Sequence, residues 1–205
     1  MEEAFKRDPD WGAFVWVAMT VGARRGELCA LRWTDVGLTN GVLSLRRALH
    51  VDNGEVTEKD TKTHQQRRIV LDAETVEVLR EHLQRCKARA AALEFDWSDD
   101  PYVFSLDPDN GTPLLPDSVT QRYERLAKRL GIETTLHKLR HYSATELIMA
   151  GVDVRTVAGR LGHGGGGATT LRVYAAWTSE ADQRAAAALS ARMPRRPQGK
   201  RNSMS

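Results

Sequence analysis

The hydrophobic period of this chain changes twice, and that change limits the folds open to it. Trp11, Phe14, Val15 and Ala18 recur at helical spacing, and Gly22 stops the pattern just before Arg24. After Leu31 the signals become those of strands. Asn40-Gly41 and Asn53-Gly54 are hairpin-type turns, and Val42 to Leu49 and Arg67 to Leu71 are rich in aliphatic residues. The helical period then returns: Asp72 is placed to cap a long helix whose Val76, Leu79, Leu83, Cys86, Ala90 and Leu93 follow three-and-four spacing. The expected fold is mainly α with a small antiparallel β-sheet (α+β), the sheet lying at about residues 33–71.

Downstream, residues 96–116 are dense in Asp, Pro, Gly and Asn and read as a surface connection with one short extended piece, Tyr102 to Leu106. Neither flank would bury a core alone, so no domain boundary is expected there. Val119, Tyr123, Leu126 and Leu130 mark a helix closed by Gly131. The next runs from Leu136 to Ala150 and ends at Gly151, and Asp153 caps a short one ending at Gly162. The four glycines at 164–167 read as a flexible link before helical pieces around Tyr174 and from Thr178 to Ala191. The division expected is one domain over residues 1–191, ample for a well-filled core, and a basic, disordered tail over residues 192–205.

Charge placement says more than the net charge of +3. Residues 137–174 hold Lys138, Arg140, Arg155, Arg160 and Arg172 against Glu146 and Asp153, and residues 192–205 hold five basic residues and no acid. A polyanionic partner fits this pattern, as does a solvated basic face. Cys29 and Cys86 each sit inside an apolar helical pattern and read as reduced core thiols of a cytoplasmic protein. The longest apolar stretch, Trp11 to Ala23, is too short to span a bilayer, so no membrane partner is expected.

Chemistry concentrates in two places. On a helix from Leu136, a core stripe of Leu136, Leu139, Ser143, Leu147 and Ala150 would turn His137, Arg140 and His141 onto a neighbouring face. A guanidinium matches two phosphate oxygens and keeps its charge at any working pH. Arg24 and Glu27 are three residues apart, so on a helix the carboxylate can brace the arginine. Arg25 points elsewhere, to the surface or a nucleic-acid backbone. Two arginines from distant parts of the chain suit a pentacoordinate phosphorane, whose oxygens need donors from two sides. His137 and His141 could suggest a zinc pair, but no HExxH glutamate or third ligand accompanies them, and no metal is expected.

Taken together, GARRGEL at 22–28, TKT at 61–63, HKLRH at 137–141, LGH at 161–163 and TTLRVY at 169–174 resemble the tyrosine recombinase, or phage integrase, family. The pieces stand in the family's order and cover the chain from residue 11 to about 190. The resemblance implies a catalytic domain of that type, with the family's N-terminal DNA-binding domain absent from this chain. It implies that Arg24 and Arg140 bind the scissile phosphate and that His137 and His163 hydrogen-bond it or relay a proton. Lys62 would protonate the leaving 5′ oxygen and Tyr174 would be the nucleophile, with Glu27 in support; Tyr102, Tyr123 and Tyr142 are rivals for that place.

The implied function is site-specific DNA cleavage and strand exchange through a 3′-phosphotyrosine, needing no cofactor. Double-stranded DNA is the implied partner, bound by a homotetramer, with room for an accessory DNA-bending or directionality factor. The implied location is the cytoplasm, at the nucleoid. A phage or mobile-element integrase comes first and a host recombinase resolving chromosome or plasmid dimers second. A DNA-binding module without cleavage and a metal-dependent nuclease are the readings from other classes.

Overall fold

The computed structural model describes residues 1–52, 54–60 and 66–162. The expected tail boundary at residue 191 lies outside them.

Helix α1 (Glu2–Arg7) leads into α2 (Pro9–Val21), with Asp8 accepting from the backbone N–H groups of Asp10 and Trp11 at 2.9 and 3.2 Å. The apolar run of α2 is buried on nearly every side, through Trp11, Phe14, Val15, Val17, Ala18 and Val21, so this helix forms the centre of the molecule. It ends at Gly22, as its sequence predicts, and Arg24 is the N-cap of the short α3 (Arg25–Cys29).

After a 3₁₀ turn (Trp33–Asp35) come β1 (Val36–Gly37), β2 (Val42–Leu45), β3 (Arg47–Asp52), β4 (Glu55–Asp60) and β5 (Arg67–Val70). All pairings are antiparallel, as expected, but they form two sheets rather than one: β1-β2-β5, and the hairpin β3-β4. The aliphatic segment from Val42 to Leu49 is divided at Arg46 between β2 and β3. Leu43 and Leu45 on β2, with Ile69 opposite Leu43 on β5, face the core, whereas only Leu49 of the β3-β4 hairpin is buried. The break is held by the buried Asp35 carboxylate, which pairs with Arg47 at 3.1 Å and Arg46 at 3.5 Å.

Helix α4 (Ala73–Ala92) starts where its sequence indicates, with Asp72 accepting from the Thr75 N–H at 2.9 Å. Its buried stripe is Thr75, Val78, Leu79, His82, Cys86 and Ala90, rotated from the expected one, and Leu93 is exposed. The rotation follows from His82, which is fully buried against the segment that comes next. That segment is not the surface connection expected. Val103 and Phe104 plug the core, and the extended piece reduces to one bridge between Tyr102 and Arg32. Phe104 meets Phe14 edge-on at 4.9 Å and stacks on His82 at 5.3 Å, so aromatic packing outweighs the polar composition around it.

Helix α5 (Pro116–Arg129) buries Val119, Tyr123 and Leu126, and Leu130 falls just beyond it, exposed. Helices α6 (Leu136–Met149) and α7 (Val154–Leu161) pack on each other through Ala144, Val157 and Leu161, and Asp153 caps α7 through the Thr156 N–H at 3.0 Å. The mainly helical architecture with small antiparallel sheets is therefore the one the sequence indicated. Among the described residues no helix is long and apolar enough to cross a membrane.

Candidate active site

A cleft of about 470 Å³ opens between α3, β3 and the N-terminal turn of α6, lined by Arg24, Glu27, His50, His137 and Arg140 among others. Gly26 makes this closeness feasible: a Cβ there would lie 2.3 Å from the Leu49 backbone oxygen, so only glycine lets α3 sit against β3. Three of the six residues expected to be catalytic, Arg24, His137 and Arg140, thus come to one place from parts of the chain more than a hundred residues apart. Lys62, in the connection between β4 and β5, lies outside the described residues, as do His163 and Tyr174.

Arg24 reaches the cleft with 40% of its side chain exposed. Its Nη1 donates to Glu27 Oε1 at 3.1 Å, its Nη2 to the Gly162 carbonyl at 2.7 Å, and its backbone N–H to Glu27 Oε2 at 2.6 Å. Glu27, 1% exposed, braces Arg24 as its sequence spacing indicates. A second cation that sequence reasoning missed completes the arrangement: Arg67 of β5 grips both Glu27 oxygens, Nη1 at 2.8 Å and Nη2 at 2.7 Å. Burial would raise the Glu27 pKa, but Arg67 and then Arg24 hold it below the ordinary carboxylate range. Arg67 follows TKT closely in the chain, yet nothing in its spacing to Glu27 announces the contact.

Arg140 corrects the expected face of α6. The most buried side chains of this helix are Leu136, Arg140, Ser143 and Ala144, while Ala150 is exposed, so Arg140 lies on the buried stripe and not beside it. At 5% exposure its guanidinium is usable because Nη1 donates to the Gly22 carbonyl at 2.6 Å, at the end of α2. Ser143, one turn on, donates to the Met19 carbonyl of the same helix. Arginine and serine are therefore what fasten α6 to α2 beside the cleft.

His137 is exposed at the cleft, its ring edge-on to His141 at 4.6 Å. Burial and the nearby His141, Arg140 and Arg24 lower its pKa, which leaves the imidazole neutral at physiological pH and able to accept a proton. Arg25 also lines the cleft, but its guanidinium is tied to α5, donating to Thr120 Oγ1 at 2.6 Å and pairing with Asp117 at 3.3 Å.

Among the described residues one group has the shape of a metal site, Asp10, His82 and Cys86, remote from the cleft. Its ligand atoms are already engaged. Asp10 pairs with Arg85 at 2.9 Å and Arg89 at 2.6 Å, and the His82 ring nitrogens face Asp10 Oδ1 at 3.0 Å and the Val103 carbonyl at 2.7 Å. Two guanidinium groups on the one carboxylate disfavour a further cation, and the cluster is a buried ion-pair network.

The model of the phage integrase family matches residues 10–180 of the chain. This chain belongs to that family. Among its relatives, transposase A of transposon Tn554 from Staphylococcus aureus is 34% identical over 155 residues, covering 75% of this chain and 40% of the transposase. Tyrosine recombinase XerA of Pyrococcus furiosus is 29% identical over 167 residues, covering 80% of this chain and 50% of that one. The chain thus spans half or less of the length of these curated relatives.

Solved family structures share its fold. The crystal structure of XerA recombinase superposes with a TM-score of 0.67 at 26% identity, covering 95% of this chain and 62% of that one. The Tn1549 transposon integrase in complex with circular intermediate DNA gives 0.71 at 23% identity, covering 87% and 59%, a likeness of fold.

Proposed function

We propose that this chain is the catalytic part of a site-specific DNA recombinase, acting on double-stranded DNA by a phosphotyrosine route. The observation that supports this most is the convergence of Arg24, Arg140 and His137 on one cleft, with a buried carboxylate behind Arg24. Two guanidinium groups, one from the N-cap of α3 and one from α6, suit a phosphodiester gaining negative charge.

In this reading the Tyr174 phenolic oxygen attacks the scissile phosphorus. The O–P bond to tyrosine forms as the bond to the 5′ oxygen breaks. An unperturbed phenol is protonated at neutral pH, so the attack needs an acceptor, supplied by His137 or His163. Lys62 gives its proton to the departing 5′ oxygen. The 3′-phosphotyrosine keeps the energy of the broken ester, and attack by a second strand's 5′ hydroxyl reverses the step and releases the tyrosine. No cofactor is needed.

The DNA-bound Tn1549 integrase supports DNA as the partner. Its transposon origin, with that of the Tn554 transposase, favours a mobile-element role over dimer resolution by a host enzyme. Assembly as a homotetramer on DNA, help from an accessory factor, the catalytic unit at residues 1–191 and action at the nucleoid belong to the same reading.

A nicked suicide duplex tests it. The wild-type protein should form a covalent protein–DNA adduct, and Tyr174→Phe should abolish the adduct while leaving DNA affinity nearly unchanged, since only a hydroxyl is removed. Binding without any adduct would make the protein a DNA-binding module, and cleavage abolished by EDTA would make it a metal-dependent nuclease.

A further inference from the structure

The carboxylate of Glu27 is full. An ionised carboxylate offers about four acceptor positions. Oε1 receives Arg24 Nη1 and Arg67 Nη1, and Oε2 receives the Arg24 backbone N–H and Arg67 Nη2. Arg67 therefore occupies the two places that the Arg24 guanidinium would need for a two-pronged grip. Held to one bond at Glu27 and one at the Gly162 carbonyl, Arg24 keeps its other N–H groups for an anion in the cleft.

Arg67 also sits beneath that second anchor. Its Nε donates to the Arg160 carbonyl at 2.8 Å, in the last turn of α7. A Cβ at position 162 would lie 2.6 Å from Arg67 Nη1, so the guanidinium packs directly on the Gly162 backbone. Thus one side chain, 8% exposed and not among those lining the cleft, sets both groups to which Arg24 is tied. Gly162 is also the residue before His163 in the sequence.

We propose that Arg67 is a positioning residue: by sharing Glu27 and supporting the α7 terminus at Gly162, it keeps Arg24 turned to the scissile phosphate rather than folded back onto its own carboxylate. This rests on the recombinase reading. Without Arg67, two acceptor positions on Glu27 open and Arg24 is the nearest cation to fill them. Its charge is then spent on Glu27, and the phosphate loses one of its two clamps.

The test compares Arg67→Gln and Arg67→Lys with wild type on two suicide duplexes. One has an ordinary scissile phosphodiester. The other has a methylphosphonate there, in which a methyl group replaces a charged oxygen and less negative charge develops during attack. On the phosphodiester, Arg67→Gln should slow adduct formation about 10- to 100-fold, the range expected for a misplaced catalytic group, with DNA affinity little changed. Arg67→Lys, which keeps charge but loses the fork, should fall between. On the methylphosphonate the Arg67→Gln loss should shrink to about 3-fold or less, because a displaced cation matters less to a neutral ester.

Equal slowing on both duplexes, a fully active Arg67→Lys, or loss of the fold in both variants by circular dichroism would each overturn the proposal. A wild-type protein that forms no adduct on either duplex would overturn the recombinase reading and this inference with it, before any variant is compared.

Discussion

At the scale of single residues, the buried carboxylate of Glu27 keeps its charge by pairing with both Arg24 and Arg67. Glu27 and Arg67 are both almost wholly buried, and breaking such a pair strands a charge in the interior, a loss of about 3–5 kcal/mol. Glu27→Gln should therefore lower stability by that order in chemical denaturation. The pH dependence carries a definite sign. The Glu27 pKa is lowered in the folded protein from 4.5, so its contribution is complete above that value and lost as pH falls through the depressed one. Glu27→Gln should flatten the acid limb of the stability profile, and an unchanged limb would show that the pair contributes little.

His82 works in the opposite direction. Burial disfavours its charge, but with acceptors at both ring nitrogens, Asp10 and Cys86 push its pKa up to about 9 from 6.5. Its stabilisation is complete below 6.5 and should disappear as pH rises through about 9. Urea midpoints measured from neutral to alkaline pH should fall across that window in wild type and stay level in His82→Phe.

At the scale of elements, the cleft depends on how closely short pieces of backbone approach one another. Helix α3 has Arg24 as its N-cap and lies against β3 because Gly26 has no side chain. Gly26→Ala must push the two apart, at a cost of about 1–3 kcal/mol for overpacking against rigid backbone. Because the displacement moves Arg24, the variant should lose the proposed adduct-forming activity at temperatures where its circular dichroism is still that of the folded protein. Loss of both together, at one temperature, would count against a specific effect on the cleft.

For the whole molecule, the proposed phosphate clamp of Arg24 and Arg140 should show itself in the salt dependence of DNA binding. Each phosphate contact releases counterions, so Arg24→Ala should reduce the slope of log affinity against log salt by about one. Fluorescence anisotropy with a labelled duplex over a range of salt concentrations measures that slope. An unchanged slope would place Arg24 away from the phosphate. Arg140→Ala is a poorer probe, because its bond to the Gly22 carbonyl also joins α6 to α2.

The sequence by itself determined most of the helices, though not α1, because capping and period are local: Asp72 and Asp153 cap where they stand, and Gly22 and Gly162 stop what precedes them. It also pointed to Arg24, His137 and Arg140, through residue types whose chemistry is their own. Only the tertiary structure decided what depends on distant partners. Val103 and Phe104 lie in polar surroundings but fill a gap left by α2 and α4, and the apolar run from Val42 to Leu49 becomes two strands, the second of which meets the core only through Leu49. Arg140 enters the buried stripe because a carbonyl waits for it, and Arg67 reaches Glu27 forty residues away. Periodicity along a chain records which side chains avoid water, not which polar pairs satisfy each other once water is gone.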